Sequence, residues 1–76
     1  MRIISQDERT SLEFSQVTLV IDECKDNQYL CEIIAKGQDY RTTTIAVYDK
    51  NEVDQRFWDI HKAYENGERV YRMPEI

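Results

Sequence analysis

Side chains able to make or break bonds are scarce in this 76-residue sequence. It holds one histidine, His61, and two cysteines, Cys24 and Cys31. There is no glycine-rich phosphate loop, no nucleophile elbow and no metal motif. The two thiols have neither a CxxC nor a zinc-knuckle spacing, and one imidazole does not complete a tetrahedral site with them. They read as reduced, part-buried cysteines of a cytoplasm, with a Cys24–Cys31 disulfide as the alternative. His61 falls about 80° from the apolar stripe of a helix, at about 100° per residue, so it flanks a helix–sheet contact as a structural residue. Asp22 and Glu23 point to opposite faces of a strand and cannot share a substrate. No enzyme, metal site or cofactor is expected.

Recognition chemistry is better represented. Tyr40-Arg41-Thr42-Thr43-Thr44 offers an aromatic ring, a guanidinium and hydroxyls, a set that suits a phosphate and a stacked base. Arg69, Tyr71 and Arg72 repeat this chemistry near the end of the chain. On a strand Arg41 and Thr43 share one face, and Tyr40, Thr42 and Thr44 the other, so only one set lines a given pocket. The plainer account is that threonines suit solvent faces of sheets and arginines keep a surface wet. The ligand-binding candidates are therefore Tyr40, Arg41, Thr43, Arg69, Tyr71 and Arg72. Trp58 falls about 140° from Val53 on a helix, on the solvent side with Asp54, Lys62 and Glu65. Either it folds over the sheet edge or onto Val70–Met73, or it meets another copy or a partner, where tryptophan is enriched. Trp58 and Lys62 are the interface candidates.

These residues need elements to hold them. Met1–Ser5 opens as a strand, and Leu12 and Phe14 share the face of a second. Val17-Thr18-Leu19-Val20-Ile21-Asp22 is β-branched and alternates, with Val17, Leu19 and Ile21 on one face. The turn Lys25-Asp26-Asn27 precedes a strand over Gln28–Ala35. Lys36-Gly37-Gln38-Asp39 is a second turn, with Gly37 free to take positive φ. Tyr40–Tyr48 is another strand, so residues 10–48 read as an antiparallel meander. The period then becomes helical. Asp49 and Glu52 form a capping box, Val53, Phe57, Ile60 and Tyr64 make one stripe, and Asn66-Gly67 stops the helix. Val70, Tyr71 and Met73 form a last extended segment ended by Pro74. The expectation is an α+β fold in one domain, 1–76. A sheet of about four to five strands lies within 1–48, a helix over about 50–65 packs on one face, and a strand follows at about 68–73.

Size and charge narrow the partners. A chain this short has a thin core that self-association would help to stabilise. Lys and Arg number 10 against 15 Asp and Glu, net −5, with the excess acid concentrated in residues 1–39. Phosphate would repel that half, so duplex DNA binding is not expected. The longest apolar run, Leu19-Val20-Ile21, is too short to cross a bilayer or serve as a signal-peptide core.

The opening Met1-Arg2-Ile3-Ile4-Ser5-Gln6-Asp7 and the closing Ala63-Tyr64-Glu65-Asn66-Gly67, with Val70-Tyr71 and Met73-Pro74, resemble a group of small proteins. These are encoded by phages, prophages and integrative elements of Gram-positive bacteria. In that group a few strands lead through a Tyr into one capped helix, a step that Tyr48 and Asp49 match. The group often has Gly where this chain has Glu8, and Pro where it has Glu13. It supplies no catalytic residues to carry over. The resemblance implies a binder acting in the cytoplasm of a bacterial host, and antagonism of host defence as its outcome.

Two functions are therefore expected in competition. The first is non-enzymatic sequestration of a small nucleotide signal, in pockets formed when the chain makes a homo-oligomer. The second is inhibition of a defence nuclease or another host defence protein, with Asp22, Glu23 and Asp26 standing in for phosphates. A phage accessory protein with no role in immunity is a third, plainer reading.

Overall fold

The structure, a computed structural model, describes residues 1–75. Its elements follow in the order β1 (Arg2–Ile4), β2 (Ser11–Glu13), β3 (Val17–Glu23), β4 (Leu30–Gly37), β5 (Thr42–Asp49), α1 (Val53–Glu65) and β6 (Val70–Arg72). A single 3-10 turn, Phe14–Gln16, leads into β3. The expected α+β class holds. Among the described residues the strands number six, slightly more than expected, and form two three-stranded sheets, β3-β4-β5 and β2-β1-β6, in place of one meander.

The larger sheet follows from the alternation read along the chain. Val17, Leu19 and Ile21 stand opposite Gly37, Ala35 and Ile33, with their side chains toward the core. Ile33 pairs with Ala46 but Ile34 pairs with Thr44, which leaves Ile45 as the extra residue of a β-bulge. The bulge turns Ile45 and Ala46 inward together, and both are buried. The smaller sheet is less visible in sequence. β1 runs antiparallel to β2 through Ile3↔Leu12 and parallel to β6 through Ile3↔Tyr71. Strands of three residues carry too little alternation to announce a partner so distant along the chain.

Helix α1 covers the larger sheet with Val53, Ile60 and Ala63 buried and Phe57 half-buried, while Tyr64 at its end is exposed. Together with Ile3, Ile33, Ile45 and Tyr48 these residues form the core. Each fully buried large side chain contributes about 1.5–3 kcal/mol. The expected capping box does not form. Asp49 is the last residue of β5, and its Oδ1 accepts the Asn51 N–H at 2.9 Å in a tight turn. The change of direction from strand to helix consumes residues 50–52, so Glu52 takes the N-cap position without a side-chain cap bond. Its carboxylate instead accepts from Arg56 Nε at 2.8 Å. The C-terminus behaves as expected: Gly67 has φ 77°. Gly67 N–H reaches the Tyr64 carbonyl at 3.1 Å and Glu68 N–H that of Ala63 at 3.0 Å, a Schellman closure.

Two turns depart from expectation. In the β4–β5 turn the positive φ, 66°, belongs to Tyr40 and not to Gly37, which remains extended as the last residue of β4. In the β1–β2 turn Glu8 has φ 61°, the left-handed conformation that glycine adopts without penalty. That turn is held by Ser5, whose hydroxyl donates to Asp7 Oδ1 at 2.6 Å and accepts the Thr10 N–H at 3.0 Å.

Gln6 joins the two sheets. Its backbone N–H donates to the Ile45 carbonyl at 2.7 Å, and its Oε1 accepts the Val47 N–H at 3.0 Å. Its Nε2 donates to the carbonyls of Val47 and Pro74, both at 3.2 Å. One residue therefore occupies the outer edge of β5. Tyr48 anchors the same corner, its hydroxyl donating to the Pro74 carbonyl at 2.6 Å.

Candidate ligand groove between α1 and β6

The turn of α1 that carries Asp59, Lys62 and Ala63 faces the start of the C-terminal strand across a shallow groove of about 510 Å³ that is largely open to solvent. Glu68 enters from the helix stop, and Tyr71 and Arg72 come from β6. The parallel pairing of β6 with β1 fixes this arrangement. Arg2 N–H donates to the Arg69 carbonyl at 2.8 Å and Met73 N–H to that of Ile4 at 3.0 Å, so β6 is bonded into the sheet at both ends. Tyr71 is half-buried. Burial, reinforced by the Asp59 carboxylate and opposed by Arg56, pushes its phenol above the ordinary value, so it remains a hydrogen-bond donor at neutral pH. Arg72 is exposed, with Nη1 at 3.7 Å from Glu8 Oε1. An exposed pair at that distance binds weakly and leaves the guanidinium able to exchange partners.

Most of the residues singled out from the sequence fall in two places, with Arg69 and Trp58 outside both. Lys62, Tyr71 and Arg72 all border this groove, but Tyr71 and Arg72 are neighbours on β6 with opposite side-chain directions, Tyr71 packing against the core and the Arg72 guanidinium lying beside Glu8. Tyr40, Arg41 and Thr43 stay in the β4–β5 hairpin. Tyr40 is 93% exposed. Arg41 is exposed and makes only a surface pair with its neighbour Asp39, Nε to Oδ2 at 3.3 Å, while Thr43 is half-buried opposite Ala35. Arg69 sits just before β6, exposed and outside the groove lining. Trp58 is 57% exposed instead of buried over Val70–Met73. Its ring packs on Phe57 and His61 of its own helix, with centroids 5.4 and 5.0 Å apart. His61 is half-buried, with Nδ1 at 3.0 Å from the Phe57 carbonyl.

Asp59 and Glu68 escaped the sequence reading. Asp59 lies three residues before Lys62 on the helix, a spacing that puts both on one flank and was the available signal. Nothing local marks Glu68, whose place depends on the Schellman turn.

The thiols of Cys24 and Cys31 are free. Burial, then the Glu32 carboxylate, pushes Cys24 above the ordinary thiol value, which suppresses the nucleophilic thiolate. Among the described residues there is no group of three or more His, Cys, Asp or Glu able to hold a metal ion. No helix among them is long and apolar enough to cross a membrane. Comparison of the chain with protein-family models, curated proteins and solved structures gives no match.

Proposed function

We propose that this chain is a non-enzymatic binding protein of phage origin that blunts host defence in the bacterial cytoplasm by sequestering a small nucleotide signal. The observation that carries the reading is that Lys62, Tyr71 and Arg72 border one groove beside Asp59 and Glu68, with the exposed Arg72 guanidinium only weakly engaged by Glu8 and able to swing to the groove rim. A nucleotide asks for two opposite chemistries. Its phosphates need cations, which Lys62 and Arg72 supply, the latter with a planar fork that matches phosphate oxygens. Its ribose hydroxyls need acceptors, which the two carboxylates supply. Tyr71 adds a protonated phenol and a ring for the base. A single chain furnishes all five groups, so a homo-oligomer multiplies the grooves in one particle. Calorimetric titration with a panel of cyclic and ADP-ribose-type nucleotides tests the reading. Micromolar or tighter binding of at least one is expected, and no binding below millimolar across the panel overturns it.

A second reading, an acidic inhibitor that occludes a nucleic-acid-guided nuclease, has its own observation. Asp22 stands directly opposite Glu32 across β3 and β4, an unfavourable like-charge pair, with Glu23 and Asp26 close by. It requires that affinity for a basic partner fall steeply with added salt.

A further inference from the structure

The two edges of the β3-β4-β5 sheet are finished differently. Gln6 occupies the β5 edge with four hydrogen bonds reaching Ile45, Val47 and Pro74. The β3 edge is left open. Cys24 N–H donates to the Leu30 carbonyl across the hairpin at 3.2 Å. Because antiparallel bonding alternates along a strand, Thr18, Val20 and Asp22 also direct their backbone groups to β4. Val17, Leu19, Ile21 and Glu23 direct theirs outward. Val17 N–H is satisfied by the Phe14 carbonyl, and Glu23 N–H by Asp22 Oδ1 at 2.9 Å. Leu19 and Ile21 remain. Among the described residues no backbone or side-chain hydrogen bond reaches their outward groups. Of the devices that blunt a free edge the strand has no Pro, no Lys or Arg and no bulge, and its two charges, Asp22 and Glu23, lie at one end, leaving Val17–Ile21 uncharged.

This open stretch is complementary to itself. A two-fold axis at Val20 sets Leu19 against the partner's Ile21, and Ile21 against the partner's Leu19. Each pair exchanges two backbone bonds, so the four outward N–H groups and carbonyls of each copy's edge are used in register. On the outer face Thr18 then meets the partner's Asp22, and Val20 meets the partner's Val20. No like charges are opposed. A one-residue slip would set these outward groups against partner residues whose backbone groups are already bonded to β4, so the register is fixed.

The neighbouring flank of α1 fits the same partner. Val53 and Asp54 border β3 at Ile21–Glu23. Phe14, just before β3, packs on His61 and Tyr64 with centroids 5.4 and 4.7 Å apart. The flank holding Phe57, Trp58 and His61 therefore overlooks the β3 side, opposite the ligand groove. Two paired strands alone bury less than the roughly 1,200 Å² of a stable interface. The exposed Trp58 on that flank offers further apolar area to a second copy.

We propose that a second copy of this chain occupies the β3 edge, joining β3 to β3 about Val20 in one continuous six-stranded sheet. The proposal does not depend on what the groove binds. Light scattering over a concentration series, combined with amide hydrogen exchange, tests it. The wild type is expected at twice the 9.1 kDa chain mass, with the Leu19 and Ile21 amides protected in the dimer and exchanging on dilution. Thr18→Asp sets a carboxylate against the partner's Asp22 twice and is expected to raise the dimer dissociation constant about tenfold. Within its own chain that carboxylate faces Lys36, so the fold is retained. Adding Asp22→Lys, which faces Glu32 within its own chain, is expected to restore the dimer. A particle at chain mass throughout, a dimer indifferent to Thr18→Asp, or an assembly in which the Leu19 and Ile21 amides exchange freely overturns the proposal.

Discussion

Glu8 holds a backbone conformation, φ 61°, that costs an L-residue with a side chain about 1–2 kcal/mol. Its exposed pair with Arg72, at 3.7 Å, returns little of that. Glu8→Gly is therefore expected to stabilise the fold by about 0.5–1 kcal/mol after the added freedom of the unfolded chain is counted. Urea unfolding measures the difference. Tyr48 tests the other end of the pH scale. Burial pushes its phenol from 10.0 up to about 12, while in the unfolded chain it ionises near its ordinary value. Above pH 10 the unfolded state loses its proton first, so the stability contributed by Tyr48 declines until the folded phenol also ionises near 12. Tyr48→Phe is expected to cost about 1 kcal/mol at neutral pH through the lost bond to Pro74, and to flatten the alkaline decline. Denaturation midpoints across that range decide the matter.

Between elements, Gln6 is the joint. Gln6→Ala removes three side-chain hydrogen bonds that tie the β1–β2 turn to β5 and to the chain after β6. It is expected to destabilise the fold by about 2–3 kcal/mol, and to accelerate exchange of the Val47 amide ahead of the amides shared by β3 and β4. Uniform acceleration would mean that the two sheets are not coupled through Gln6. The joint explains what the sequence concealed. β3, β4, β5 and α1 were legible because Val17–Ile21 alternates by two while Val53, Phe57 and Ile60 recur by helical turns. β1 and β6 were also expected as strands, but three residues are too few to announce a partner, so their parallel pairing at opposite ends of the chain was not legible. The same limit hid the turn chemistry. Asp49 has the residue type of a cap, yet the corner that follows β5 places the helix beyond its reach. Gly37 has the freedom for positive φ, yet it completes the β4 ladder and leaves that conformation to Tyr40.

For the whole molecule, the residue types of the groove were legible and their meeting was not. Tyr71 and Arg72 stood out as a guanidinium beside a ring, but their approach to Lys62 requires β6 to run parallel with β1. Asp59 and Glu68 are unremarkable until the helix stop and that pairing bring them alongside. The Tyr40–Thr43 segment, equally suggestive as a string of residues, remains an exposed hairpin. The net charge of −5 gives no general attraction for phosphate, so affinity for a nucleotide must come from the local cations. The decisive measurement is calorimetric titration of the tightest-binding nucleotide of the panel into wild type, Arg72→Ala and Arg41→Ala. Loss of a charge-assisted contact at Arg72 is expected to weaken binding tenfold or more, on the order of 1.5–3 kcal/mol, while Arg41→Ala binds as wild type does. Loss of affinity in Arg41→Ala with none in Arg72→Ala would contradict the account.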